Sequence, residues 1–169
     1  LDDIITSKKP ATAKFDHPQI DTLTEYLTNA SKPVIVSGYG CIKSGAQQLV
    51  TQLSERFNIP VTSSLKGKGA IHECSSLSPG SLAVTSNGYA YDYIVKQSDL
   101  VLVLGASFNE RTSYLWNDRL LGDKKVVQVD INDDQLEKVY KADLTIHADI
   151  KHVLTGVLDK LNGHEVKLK

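Results

Sequence analysis

The stretch Asp99-Leu100-Val101-Leu102-Val103-Leu104-Gly105 limits the choice of fold more than any other part of the chain. Five consecutive apolar residues between an acidic residue and a glycine leave no polar face. A strand exposed on one side would alternate, so this strand is expected to be covered on both faces, as in the interior of a parallel sheet. A parallel sheet needs a crossover between strands, most often a helix. The remaining sequence should therefore alternate strand and helix patterns.

It does so along most of its length. Polar residues dominate Leu1 to Lys14, so residues 1–17 read as a linker or strap. Residues 18–163 read as the folded domain and 164–169 as a tail. Pro18 suits the first turn of a helix, and Ile20, Leu23, Leu27 and Ala30 recur at helical spacing. Val34 to Ser37 predicts a strand ending at Gly38 and Gly40. Ala46, Leu49, Val50, Leu53 and Phe57 predict one helix over Ser44 to Phe57. Ile59 to Leu65 predicts a second strand, with Pro60 at its start, where a missing N–H is tolerated. A short third strand is expected near Leu77, a helix from Asn87 or Gly88 through Gln97, and a helix within Phe108 to Leu121. Lys125 to Ile131 and Leu144 to His147 predict strands, with a short helix over Asp133 to Tyr140 between them. Asp149 is placed to cap a last helix through Ile150, Val153, Leu154, Val157, Leu158 and Leu161, which Gly163 would end. The pattern predicts a three-layer α/β/α fold with a parallel sheet of about six strands.

Composition narrows the function classes. The net charge is -1 and no basic stripe is present, which argues against nucleic acid as a partner. No apolar run approaches a membrane span. The two cysteines, Cys41 and Cys74, are far apart, read as buried or half-buried thiols, and fit a reducing, cytoplasmic setting. The sequence holds no methionine and begins at Leu1, which suggests a domain of a longer protein.

In a sheet of this kind ligands sit outside the carboxyl ends of the strands. Gly38, Gly40 and Gly105 would let backbone approach a phosphate there, or would simply permit tight turns. The glycines at 38, 40 and 45 are spaced GxGxxxxG, and no acidic residue ends the second strand. Both features depart from an NAD dehydrogenase fingerprint. The histidines at 17, 72, 147, 152 and 164 form no HxxxH pair, and there is no Cys/His quartet for zinc. His147 reads as an edge residue, Asn109-Glu110-Arg111 as capping with a local ion pair, and Trp116 as a core anchor or an interface residue. No nucleophilic triad or catalytic set emerges, so the residues describe a binding or scaffolding element.

Four segments, in this order, resemble the central domain of thiamine-diphosphate-dependent enzymes of the acetolactate synthase, pyruvate oxidase and 2-oxoacid decarboxylase group. They are Lys32-Pro-Val-Ile-Val-Ser-Gly-Tyr-Gly40, Ile59-Pro-Val-Thr-Ser-Ser-Leu-Lys-Gly-Lys-Gly-Ala70, Ser98-Asp-Leu-Val-Leu-Val-Leu-Gly-Ala-Ser-Phe-Asn-Glu-Arg-Thr112 and Val127-Gln-Val-Asp-Ile-Asn-Asp-Asp134. The resemblance implies a Rossmann-like (DHS-like NAD/FAD-binding) domain between an N-terminal domain with a catalytic Glu and a C-terminal domain with a Mg2+-diphosphate motif of the GDG…N type. Thiamine diphosphate and Mg2+ would be held by those domains, in a homodimer or homotetramer, and this piece would not catalyse by itself. In flavin-bearing members this domain holds FAD. The matching positions here are Gly38, Tyr39, Gly40, Ser64, Leu65, Lys66, Gly105, Ala106, Ser107, Asn109, Asp130, Ile131 and Asp149. Ser107, Asn109 and Lys66 stand where the resemblance expects Arg, Asp and Met, and Leu82 to Asn87 replaces a Gly-Met-His-Gly loop. Each charge-assisted contact so lost would be worth about 1.5–3 kcal/mol. An adenine nucleotide or CoA-like tail, an empty structural site, and a stand-alone electron-transfer-flavoprotein type module are the alternatives. A sirtuin-type deacylase needs a zinc Cys quartet that two cysteines cannot supply.

Overall fold

The computed structural model describes residues 18–162; the linker over 1–17 and the tail over 164–169 lie outside the described residues. Five parallel strands form one sheet. They are β1 (Pro33–Ser37), β2 (Val61–Ser63), β3 (Leu100–Leu104), β4 (Lys125–Asp130) and β5 (Leu144–His147). Their order across the sheet is β2-β1-β3-β4-β5, so the all-apolar strand lies at the centre, as its sequence requires. The helices are α1 (Gln19–Asn29), α2 (Tyr39–Lys43), α3 (Gln47–Phe57), α4 (Tyr89–Lys96) and α5 (Ile150–Asn162).

Strand side chains alternate between faces, and β3 divides its residues by size. Leu100, Leu102 and Leu104 pack with Ile35, Val127 and Val129 in the core beneath α1, α3 and α5. Val101 and Val103 join Val34, Val36 and Val126 in a second core beneath α4 and the 106–121 segment. Burial of both faces follows directly, and all five β3 residues are buried.

The sheet has five strands where about six are expected. At the β2 edge the missing strand is reduced to a single bridge between Ser63 and Ser81. The segment still covers the edge: Val61 N donates to Leu77 O (2.8 Å), Leu82 N to Ser63 O (2.8 Å) and Thr62 Oγ1 to Gly80 O (2.7 Å). Pro79 and Gly80, whose φ is +90°, prevent a regular strand there. β2 stops at Ser63, opposite the last residue of β1, and does not reach Leu65, because residues 65–67 form a 3₁₀ turn.

Three expected helices also differ. The helix expected over Ser44 to Phe57 starts only at Gln47, as α3; Gly45, whose φ of +68° is left-handed, separates it from the short α2, which the sequence pattern does not predict. The helix expected over Asp133 to Tyr140 is only a 3₁₀ turn over Asp133–Gln135. The buried amide of Gln128 takes up that segment instead: its Oε1 accepts from Glu137 N (2.7 Å) and its Nε2 donates to Tyr140 O (3.0 Å). Residues 108–121 form a chain of turns without a helix. Asn109 Oδ1 accepts from the N–H groups of Arg111 and Thr112, Ser113 Oγ from Trp116 N, and Asn117 Oδ1 from Arg119 N. Short polar side chains that bond nearby backbone compete with the helical ladder, and here they win. Tyr114, Leu115 and Trp116 consequently adopt φ of 52°, 61° and 56°.

Tyr140 anchors this turn segment. Its hydroxyl donates to Ser113 O (3.2 Å) or Asn117 O (3.0 Å), and its ring meets Phe108 edge-on at 5.0 Å. Burial, with Asp118 adding repulsion, pushes the Tyr140 hydroxyl up to about 12. The unfolded chain ionises near about pH 10, so it releases this proton first as pH rises. The stabilisation by Tyr140 is therefore full below about pH 10 and is lost progressively toward about pH 12. We expect Tyr140→Phe to lower stability by about 1–2 kcal/mol at neutral pH. Between those two pH values the variant should lose less stability than the parent, as urea unfolding at several pH values would show. Equal losses would rule out Tyr140 as the titrating anchor.

Candidate functional site

Because all strands run parallel, the segments after them emerge along one edge. Across that edge the order is Ser64-Leu65-Lys66, Gly38-Tyr39-Gly40, Gly105 to Asn109, Asp130-Ile131 and Ala148-Asp149. The structure thus places every sequence-predicted site residue on the same rim. It does not give them one environment.

The glycine corner is a close meeting of backbones. A Cβ on Gly38 would lie 2.1 Å from Gly105 O and 2.4 Å from Ala106 Cα. One on Gly40 would lie 2.7 Å from Gly105 Cα, and one on Gly67 2.3 Å from Ser37 O. Gly105 itself is left-handed at φ +59°, with Gly40 Cα 2.5 Å from where its Cβ would stand. The N–H groups are engaged as well. Gly38 N donates to Leu104 O (2.8 Å), Gly40 N to Gly105 O (3.0 Å), Gly105 N to Val129 O (2.9 Å) and Ser64 N to Ser37 O (2.9 Å). Beneath the corner lie Ser37 and Cys41, both fully buried. Ser37 Oγ makes no hydrogen bond of normal geometry, and its polar neighbour is the Cys41 thiol. Burial pushes that thiol up, against a smaller opposing pull from Ser37. A buried, protonated thiol is a poor nucleophile. Cys74 is exposed, contrary to the expectation of burial, because it sits in an irregular turn whose N–H bonds His72 Nδ1.

The opposite end of the rim is acidic. Asp130 Oδ1 accepts from Asn132 N (2.9 Å) and Asp149 Oδ1 from Lys151 N (2.8 Å), the latter being the helix cap that the sequence predicts. His147 is an edge residue, its Nε2 3.0 Å from Ile131 O. Ser107 and Asn109 are exposed, and Asn109 caps its own turn. No salt bridge joins Glu110 to Arg111 among the described residues.

Between these ends the rim carries apolar side chains in solvent: Tyr39 is 57% exposed, Leu65 41% and Ile131 61%. A second exposed group comprises Leu115 (62%), not singled out in the sequence, and Trp116 (56%), whose exposure on the left-handed turn excludes a core anchor. Nothing in their spacing announces exposure, since only the Asn and Ser bonds of the turn direct them outward. A cavity of about 200 Å³ lies beside the end of β2, lined by Ser63, Lys68, Gly69, Ile71, Glu73, Ser78, Gly80 and Ser81. Another of about 320 Å³, lined by Tyr26, Asp99 and Lys125 among others, lies at the far edge, where the strands begin. No group of three or more metal-ligating side chains occurs among the described residues. No helix among them is long and apolar enough to cross a membrane.

A rim with this close backbone packing and polar turns at both ends has clear relatives. The family model of the thiamine pyrophosphate enzyme central domain matches residues 20–157. The chain is 34% identical over 152 residues to the acetolactate synthase of Arthrospira platensis, covering 89% of this chain and 26% of that protein. It is 32% identical over 143 residues to the acetolactate synthase large subunit of Cyanidium caldarium, covering 85% and 24%. It is 31% identical over 185 aligned positions to the probable acetolactate synthase large subunit of Methanocaldococcus jannaschii, covering 99% and 30%. The chain thus spans about a quarter of the length of the curated relatives it matches. With a five-stranded parallel sheet of the expected order of elements and a match over most of its length, the chain belongs to the family of thiamine pyrophosphate enzyme central domains.

Proposed function

We propose that this domain is the scaffolding middle part of a thiamine-diphosphate enzyme that acts on 2-oxo acids in the manner of an acetolactate synthase. The observation that carries the reading is the family match over residues 20–157, together with relatives named as acetolactate synthases. Flanking N- and C-terminal domains are the partners, and the exposed Tyr39, Leu65, Ile131, Leu115 and Trp116 offer them apolar surface. The intact protein works as a homodimer or homotetramer in a reducing, cytoplasmic setting.

The test is to express the complete reading frame that encodes this chain and to measure acetolactate formed from pyruvate. Product formation that requires added thiamine diphosphate and Mg2+ is the expected result. A frame lacking both an upstream Glu-bearing domain and a downstream GDG…N motif would end the reading. For this domain expressed alone, no turnover is expected in the same assay.

A further inference from the structure

We infer that the glycine corner of this chain is a backbone lock between β1, β3 and the 65–67 turn, and that it does not take the pyrophosphate of a flavin dinucleotide. The inference rests on the reading above, because FAD is the dinucleotide which that resemblance implies for this domain.

A pyrophosphate at such a corner is held by N–H groups with no other partner and by close backbone approach at glycine. At the three glycines neither condition holds. The N–H groups of Gly38, Gly40 and Gly105 all donate to carbonyls of the sheet edge at 2.8–3.0 Å. To bind phosphate they would have to abandon bonds that continue the β1-β3-β4 ladder. The space that the absent Cβ atoms leave is filled by protein. Gly105 O and Ala106 Cα stand 2.1 and 2.4 Å from the position of a Cβ on Gly38. The glycines are therefore explained by the contact of Gly38 and Gly40 with Gly105, and of Gly67 with Ser37.

The donor set of the rim points the same way. Dinucleotide phosphates carry negative charge, and the β4–β5 end presents Asp130, Asp133, Asp134 and Asp149. Ser107 and Asn109 bring no charge, and Asn109 Oδ1 is already the acceptor for two N–H groups. Among the described residues near the rim, Lys66, Lys68 and Arg111 are exposed, where solvent screens their attraction, and Lys68 already pairs with Glu73 at 3.1 Å. The cavity beside β2 holds about 200 Å³, below the roughly 300–1,000 Å³ of ordinary ligand pockets. The side chains that do stand free on the rim, Tyr39, Leu65 and Ile131, are apolar and suit a protein surface better than a phosphate.

The experiment uses the complete protein, purified without added flavin and then titrated separately with FAD and with ADP. Bound flavin is read from absorbance after gel filtration, and ligand binding from the shift in Tm. A ligand at about a hundredfold excess over its Kd would raise Tm by several degrees. We expect a colourless protein, no saturable Tm shift with either ligand, and thiamine-diphosphate-dependent turnover unchanged by FAD. Stoichiometric flavin that survives gel filtration and is lost in Asp130→Ala would overturn the inference while leaving the acetolactate synthase reading intact. Flavin-free protein with no thiamine-dependent turnover would overturn that reading and leave the lock standing. A Tm rise with ADP as large as with FAD would overturn the lock by showing a phosphate site on the rim.

Discussion

Gly38→Ala should lower the stability of this domain by about 3 kcal/mol or more, a loss at the upper end of what overpacking produces. The added methyl would arrive 2.1 Å from Gly105 O and 2.5 Å from Gly105 C. Those atoms belong to backbone at the end of the central strand, so no rotamer change relieves the clash. Relief requires β1 and β3 to separate at their carboxyl ends, which weakens the bond from Gly38 N to Leu104 O. The φ of Gly38 is -104°, a value any residue adopts, so the loss comes from packing and not from conformation. Gly45→Ala is the matched control. Its φ is +68° but nothing lies within 4 Å, so it should lose only about 1 kcal/mol. Urea unfolding of both variants, without any ligand, measures the difference. Equal losses would mean that the corner yields, and with it the claim that its glycines serve backbone contact.

Leu102→Ala should cost about 3–4 kcal/mol, within the range for deleting a buried leucine side chain. Leu102 is fully buried and sits in the middle of β3, paired with Ile35 on β1 and Val127 on β4. Strands on both sides prevent the local backbone from collapsing into the space left behind. Thr155→Ala on α5 serves as the comparison, since its hydroxyl only back-bonds Lys151 O on an exposed face. It should change stability by less than about 0.5 kcal/mol. A loss below about 1 kcal/mol in Leu102→Ala, read from the urea midpoint at constant slope, would be incompatible with β3 as the central strand.

Much of the fold was legible because its signals are local. Leu100 to Leu104 read as a doubly buried strand from five residues alone, and the sheet places it at the centre. The apolar spacing of Ile20, Leu23 and Leu27, and of Val153, Leu154, Val157 and Leu158, marked α1 and α5. Where the reading failed, the deciding bond came from a distant residue or from a polar side chain. Gln128 lies on β4, yet it determines that residues 137–140 form no helix. Residues 108–121 mix polar and aromatic residues and are expected to hold a helix, but Asn109, Ser113 and Asn117 redirect the backbone into turns. The order of the rim segments likewise follows from strand order, which no single segment carries.

The sequence by itself determined that this is a parallel α/β domain, since buried strands and amphipathic helices alternate and only crossover connections satisfy them. Its motif order also determined the family. What Gly38, Gly40 and Gly105 do was left open by the sequence, because a glycine that admits a ligand and one that admits another backbone look the same. Only the tertiary structure brings residues 38–40 against residue 105 across the β1–β3 pair, so that backbone of residues 105 and 106 stands where side chains on Gly38 and Gly40 would be and carbonyls accept from the N–H groups of Gly38, Gly40 and Gly105.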